Sequence, residues 1–262
     1  MSRFTIFCEG YNMTRFPKPS SDVLSNKDKQ ALSLYGSQAY STPMNNALWS
    51  AKLMGNQHGY GRLIPHEKLH NDVIEALNRF PSAKEENFVY TGLSKHANPE
   101  LWGKQGLVYI PAFISTSYDK EVPKNFAGVH DSKQIEHLFP GYVKPQMISS
   151  GGYMNGLRIY IPANFHAGGS ISRFTGIKDE KEFLIKPHQI LKIIDQRSII
   201  KPSWQHGVEM RYYHARILTP DEIGEYDNHP EVKRMYAVKK RLGIKYWILW
   251  GIYYEFSRHL QE

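Results

Sequence analysis

Three groups of polar side chains sit at spacings that could do chemistry. The first is His66-Glu67-Lys68-Leu69-His70. On a helix, histidines four residues apart share one face with a glutamate beside them, an arrangement that binds zinc and activates water for hydrolysis. Against it stand Pro65, directly before the first histidine, and Lys68, a cation among the positions that would pack beneath the metal. Glu85, Glu86 and Glu100 are the nominees for a third ligand, and no spacing singles one out. The second group is Ser115-Thr116-Ser117, at the end of an apolar run, and the third is Glu180 with Glu182. In an extended chain residues i and i+2 point the same way, so the two carboxylates would share a face. Taken singly, each of these last two groups also suits an ordinary strand end. Nucleotide-binding loops are missing: Gly59-Tyr60-Gly61 lacks a third glycine, and Gly151-Gly152 is not followed by Lys and Ser or Thr. That argues against a Rossmann or P-loop enzyme.

The elements that must position these groups follow from hydrophobic spacing. Residues 17–43 are rich in Pro, Ser, Asn and Lys and read as loop. A short helix is predicted over Asn45 to Met54. A stronger one spans His66 to Phe80, where Leu69, Val73, Ile74 and Leu77 fall on one face and Pro81 ends it. Short apolar or alternating runs then read as strands: 88–90, 107–116, 157–161, 182–185, 190–194 and 210–218. Residues 230–262 read as helical, basic at first and strongly aromatic over Tyr246 to Tyr254. Helices followed by strands indicate an α+β fold rather than alternating βαβ units.

Composition narrows the class. The chain has 262 residues, 41% hydrophobic and 22% charged, ordinary for a globular protein with a substantial core. Its 33 Lys and Arg against 25 Asp and Glu give a net charge of +8, which favours anionic partners. The lone Cys8 excludes an intrachain disulfide framework and a Cys-rich zinc module, and it reads as a buried small residue. No apolar window approaches the length of a membrane span, and Met1 to Gly10 lacks the apolar stretch of a signal peptide. A cytoplasmic location is therefore expected.

Three segments in order, Phe88-Val89-Tyr90-Thr91-Gly92-Leu93-Ser94, Phe113-Ile114-Ser115-Thr116-Ser117 and Glu180-Lys181-Glu182-Phe183-Leu184, resemble mono-ADP-ribosyltransferases with an Arg…Ser-Thr-Ser…Glu-x-Glu site. Leu157-Arg158-Ile159-Tyr160-Ile161-Pro162 is similar to the strand before the Glu-x-Glu loop, and Asn45-Asn46-Ala47-Leu48-Trp49 to part of the family's helical preface. The likeness covers residues 40–195 and is nearest to the bacteriophage-encoded branch, which modifies host proteins. It implies two small, mostly antiparallel sheets packed across a cleft, with N-terminal helices. The chain would divide into an extension over 1–40, a catalytic domain over 41–197 and a helical extension over 198–262 packed on it.

The resemblance also assigns roles. NAD would be the substrate, and ADP-ribose would pass to an arginine on a protein acceptor, with a nucleic-acid-associated target as a further partner. Glu182 would stabilise the cationic ribose carbon, Ser115 would anchor it, and Glu180 would engage the acceptor. Thr91, Gly92, Ser115, Thr116 and Ser117 would line the NAD site, and the loop from Arg173 to Asp179 would present the acceptor. One departure stands out: the family has Arg where this chain has Thr91. Arg62, Arg158 and Arg173 are the candidates to replace that charge. The alternatives to a transferase are an inactive scaffold or virion protein with the same fold, and a zinc hydrolase built on His66 and His70.

Overall fold

The computed structural model describes residues 23–54, 66–93, 106–120, 122, 153–175, 181–200 and 209–242. Cys8, Arg62, Glu100, Glu180 and the aromatic run at 246–254 lie outside the described residues.

Three helices come first: α1 (Asn26–Tyr35), α2 (Gln38–Met54) and α3 (Glu67–Asn78). The expected loop over 17–43 is thus corrected, since residues 26–35 and 38–43 are helical. Ser25 and Asp28 explain the first of these. The Ser25 hydroxyl accepts from the Asp28 N–H, and the Asp28 carboxylate accepts from the Ser25 N–H at 2.8 Å, a reciprocal cap on a polar-looking segment. Asp28 also meets the Arg79 guanidinium at 3.2 Å, joining the start of α1 to the end of α3. Ala31, Leu32 and Tyr35 bury one face of α1 with Val73, Ala76 and Leu77 of α3.

Eight strands follow: β1 (Asn87–Gly92), β2 (Leu107–Ile110), β3 (Ile114–Ser117), β4 (Tyr153–Ile161), β5 (Gly168–Ser170), β6 (Glu182–Ile185), β7 (Gln189–Ile200) and β8 (Glu209–Ile217). The run expected as one strand over 107–116 is two, broken at Pro111, which has no N–H to give a ladder. β5 was not foreseen because Gly168-Gly169 carries no apolar signal. A Cβ at Gly168 would come within 1.9 Å of the Leu184 carbonyl oxygen, so only glycine lets this edge strand close on β6. The strand order is β2-β7-β8-β4-β1-β3-β6-β5, antiparallel except for β4 beside β8. The fold is α+β, and the two expected sheets are joined edge to edge as one. β1 and β3 connect a five-strand arm to a three-strand arm through a single registered pair, Tyr90 and Ser117.

After β8 come α4 (Pro220–Gly224) and α5 (Pro230–Leu242). Val232, Met235 and Val238 of α5 pack on Leu107, Tyr109 and Ile190, so this part of the C-terminal segment lies against the sheet. The expected boundary at 197/198 falls inside β7. Beyond it, β8 sits between β7 and β4, so the segment also supplies an interior strand. Among the described residues no helix is long and apolar enough to cross a membrane.

One buried cation makes a prediction. Lys186, just past β6, has its pKa pulled down to about 7, by burial first and then by repulsion from Lys239. An unfolded lysine titrates near 10.5, so between pH 7 and 10 the unfolded chain holds the extra proton and stability rises with pH. Lys186→Met is expected to be more stable at pH 7 by about 1–2 kcal/mol and to lose that upward slope. The gain is less than the shift implies, because a 3.2 Å bond to Asn78 is lost. Urea midpoints at pH 7 and 9 measure both, and an unchanged slope would assign it to other groups.

Candidate active site

Cross-strand register assembles the site. Arg158 on β4 pairs with Tyr90 on β1, Tyr90 with Ser117 on β3, and Ser117 with Glu182 on β6. Directly opposed residues share a sheet face, so these four form one row spanning both arms. His214 on β8 extends the row beyond Arg158. Ser115, two residues before Ser117, lies on the same face, and its Oγ donates to Glu182 Oε1 at 2.5 Å. Glu182 is buried, and its carbonyl is fixed by the Ile171 N–H and the Ser172 hydroxyl. A hydroxyl-held, buried carboxylate is a group locked in one orientation.

Helix α1 reaches this face through Tyr35. Burial, reinforced by the charge of Glu182, holds the Tyr35 phenol protonated, and its oxygen accepts from Asn45 at 3.1 Å. Tyr35 was missed because its segment read as loop, although Ala31, Leu32 and Tyr35 already carried helical spacing. At the other end of the row, the Arg158 guanidinium lies 3.9 Å from the Phe88 ring centroid and 5.1 Å from that of Tyr160. Gly92 faces Gly156 on the same face, and the ring of Tyr212, the partner of Gly156 on β8, reaches across to Tyr90 with centroids 5.1 Å apart.

The other expected site residues divide. Thr116 and Ser117 are buried: Thr116 donates to the Phe183 carbonyl at 2.6 Å, and Ser117 Oγ accepts from the Asp119 N–H at 3.0 Å. Thr116, between Ser115 and Ser117, points to the opposite face, away from Glu182. Thr91 also lies on the opposite face, beside Leu157, and donates to the Ser115 carbonyl at 2.9 Å. It therefore ties the two arms where their register is thinnest, and the place expected for a ligand contact is a backbone clasp. The face-sharing expected of Glu180 and Glu182 required an extended chain through residue 181. Lys181 instead takes φ 46°, a left-handed conformation, so strand alternation begins only at Glu182. Lys181 pairs with Asp119 at 3.0 Å.

The metal candidate is laid out differently. His66 precedes α3 as its N-cap, Glu67 is exposed, and His70 is fully buried against Phe113 with ring centroids 5.4 Å apart. Burial pulls the His70 pKa down to about 4. Glu86 is 3.7 Å from Arg216. Among the described residues no group of three or more His, Cys, Asp or Glu side chains could hold a metal ion.

No protein-family model matches the chain, and no curated protein matches it. Similar solved structures include the Vis toxin, an ADP-ribosyltransferase from Vibrio splendidus, at 20% identity, covering 78% of this chain and 79% of that one with TM-score 0.49. Plx2a, an ADP-ribosyltransferase toxin from Paenibacillus larvae, shares 17% identity over 76% of this chain and 89% of its own, with TM-score 0.48. Exoenzyme S from Pseudomonas aeruginosa, in complex with human 14-3-3 protein beta and bound to carba-NAD, shares 15% identity over 73% and 74%, with TM-score 0.45.

Proposed function

We propose that the chain transfers ADP-ribose from NAD to an arginine on a protein, releasing nicotinamide. The observation that supports this reading is the Ser115 hydroxyl donating at 2.5 Å to the buried Glu182 carboxylate, on a sheet face continuous with Tyr90 and Arg158. In the reaction the bond between ribose C1 and the nicotinamide nitrogen breaks, and its electron pair leaves on nicotinamide. That nitrogen is already cationic, so no general acid is needed. Positive charge builds at C1 and the ring oxygen, as in glycoside hydrolysis. A fixed carboxylate near the ribose 2′-hydroxyl interacts more strongly as that charge appears, which lowers the barrier selectively. Ser115 spares Glu182 the reorientation that a free side chain would need.

The acceptor nitrogen then bonds to C1 and gives up a proton. Glu180 is assigned to the acceptor by its place in the Glu-x-Glu motif: a carboxylate holds a guanidinium through paired hydrogen bonds and can take the proton. A host protein as the acceptor is supported by the sequence likeness to the bacteriophage-encoded branch. The test is incubation with NAD labelled in its adenylate half, with and without a cell extract. Nicotinamide release together with label on arginine supports the assignment. Release without protein labelling would leave an NAD hydrolase, and neither would favour the inactive scaffold.

A further inference from the structure

We propose that Arg158 is the cation that anchors the diphosphate of the bound dinucleotide, from strand β4 rather than from position 91. The inference rests on the NAD reading above. Thr91 cannot serve, because it is buried on the opposite face and its hydroxyl is engaged by the Ser115 carbonyl. Arg158 stands in the same row as Glu182, three strand spacings away, about 14 Å between backbones. The diphosphate hangs from the 5′ carbon of the nicotinamide ribose, several bonds from the carbon that reacts. The Arg158 guanidinium lies over Phe88, in the neighbouring row and one strand nearer Glu182, so it can meet the diphosphate while Glu182 meets the ribose.

Among the described residues, two other cations near this face have carboxylate partners. Arg216 pairs with Glu222, and Lys181 with Asp119. Arg173 is exposed and lies 5.3 Å from the Phe174 ring centroid. Arg158 has no ion-pair partner among the described residues, and its buried Nε makes no hydrogen bond there. What it has is an aromatic seat. A guanidinium lying over Phe88 satisfies its face and leaves its in-plane N–H donors for an anion, and a planar fork matches phosphate oxygens.

The experiment measures ADP binding by calorimetry to the full chain, to Arg158→Leu and to Arg158→Lys, at low and moderate salt. ADP carries the diphosphate but not the bond that breaks. Arg158→Leu should weaken ADP about 10- to 100-fold, and Arg158→Lys should recover part of the loss. The salt dependence should flatten in Arg158→Leu alone. Unchanged affinity in Arg158→Leu, a lysine variant as weak as the leucine one, or no ADP binding by the unmodified chain would each overturn the anchor. Should ADP bind in an Arg158-dependent way while NAD releases no nicotinamide, the anchor stands and the transferase reading falls.

Discussion

Glu182→Gln is expected to lower nicotinamide release from NAD by about 10²-fold or more, while NAD still binds. Fixed electrostatic stabilisers of a transition state typically contribute about 3–4 kcal/mol. Glutamine keeps the volume and still accepts from the Ser115 hydroxyl, so the loss isolates the negative charge. Ser115→Ala leaves the charge but frees its orientation, and it should cost less than Glu182→Gln. Glu180→Gln should suppress transfer to arginine and spare much of the NAD hydrolysis, since it leaves Glu182 intact. Nicotinamide release with and without an acceptor, on variants matched by circular dichroism, separates the three. Full activity in Glu182→Gln would remove the basis of the transferase reading, and equal loss of hydrolysis in Glu180→Gln would reject the division of labour.

The parts of this site that sequence made legible are those set by local pattern. Strand alternation located β1, β4 and β6, and the polar Ser115 and Glu182 stood out at the strand ends where the structure joins them. What remained hidden depends on relations between distant segments. Whether Thr91 or Arg158 shares a face with Glu182 is decided by the register Tyr90–Arg158 and Tyr90–Ser117, and a one-residue shift would exchange the two. The conformation of Lys181 was equally invisible, because a lysine carries no signal for positive φ. α1 was missed since its cap pairs Ser25 with an aspartate in a segment poor in apolar residues. β5 was missed since close approach to Leu184 demands the glycines that sequence reading takes for a turn.

Lys52→Met should destabilise the fold by about 2–3 kcal/mol, through one contact that closes the edge of the sheet. β2 is an outer strand, and Tyr109 turns both its N–H and its carbonyl away from β7. An edge left open in this way would need water or another strand. Here an ion pair covers both groups: Lys52 of α2 donates to the Tyr109 carbonyl at 2.6 Å, and Glu231 of α5 accepts from its N–H at 2.8 Å. The two side chains meet each other at 2.9 Å, and each is only 9% exposed. Burial lowers the Lys52 pKa, opposed by Glu231; burial also raises that of Glu231, but the Tyr109 N–H and Lys52 outweigh it and bring it below the ordinary value. Removing the ammonium leaves the Glu231 carboxylate with Arg234 and the Tyr109 N–H but strips the buried Tyr109 carbonyl of its donor, hence the size of the loss. Lys52→Met with Glu231→Leu should recover part of it, because no buried charge is left; the Tyr109 groups remain unsatisfied, so recovery stays incomplete. Urea unfolding of the two single variants and the double closes the cycle. A loss below about 1 kcal/mol in Lys52→Met would mean that water replaces the ammonium at this edge, and that α5 is held by Val232, Met235 and Val238 alone.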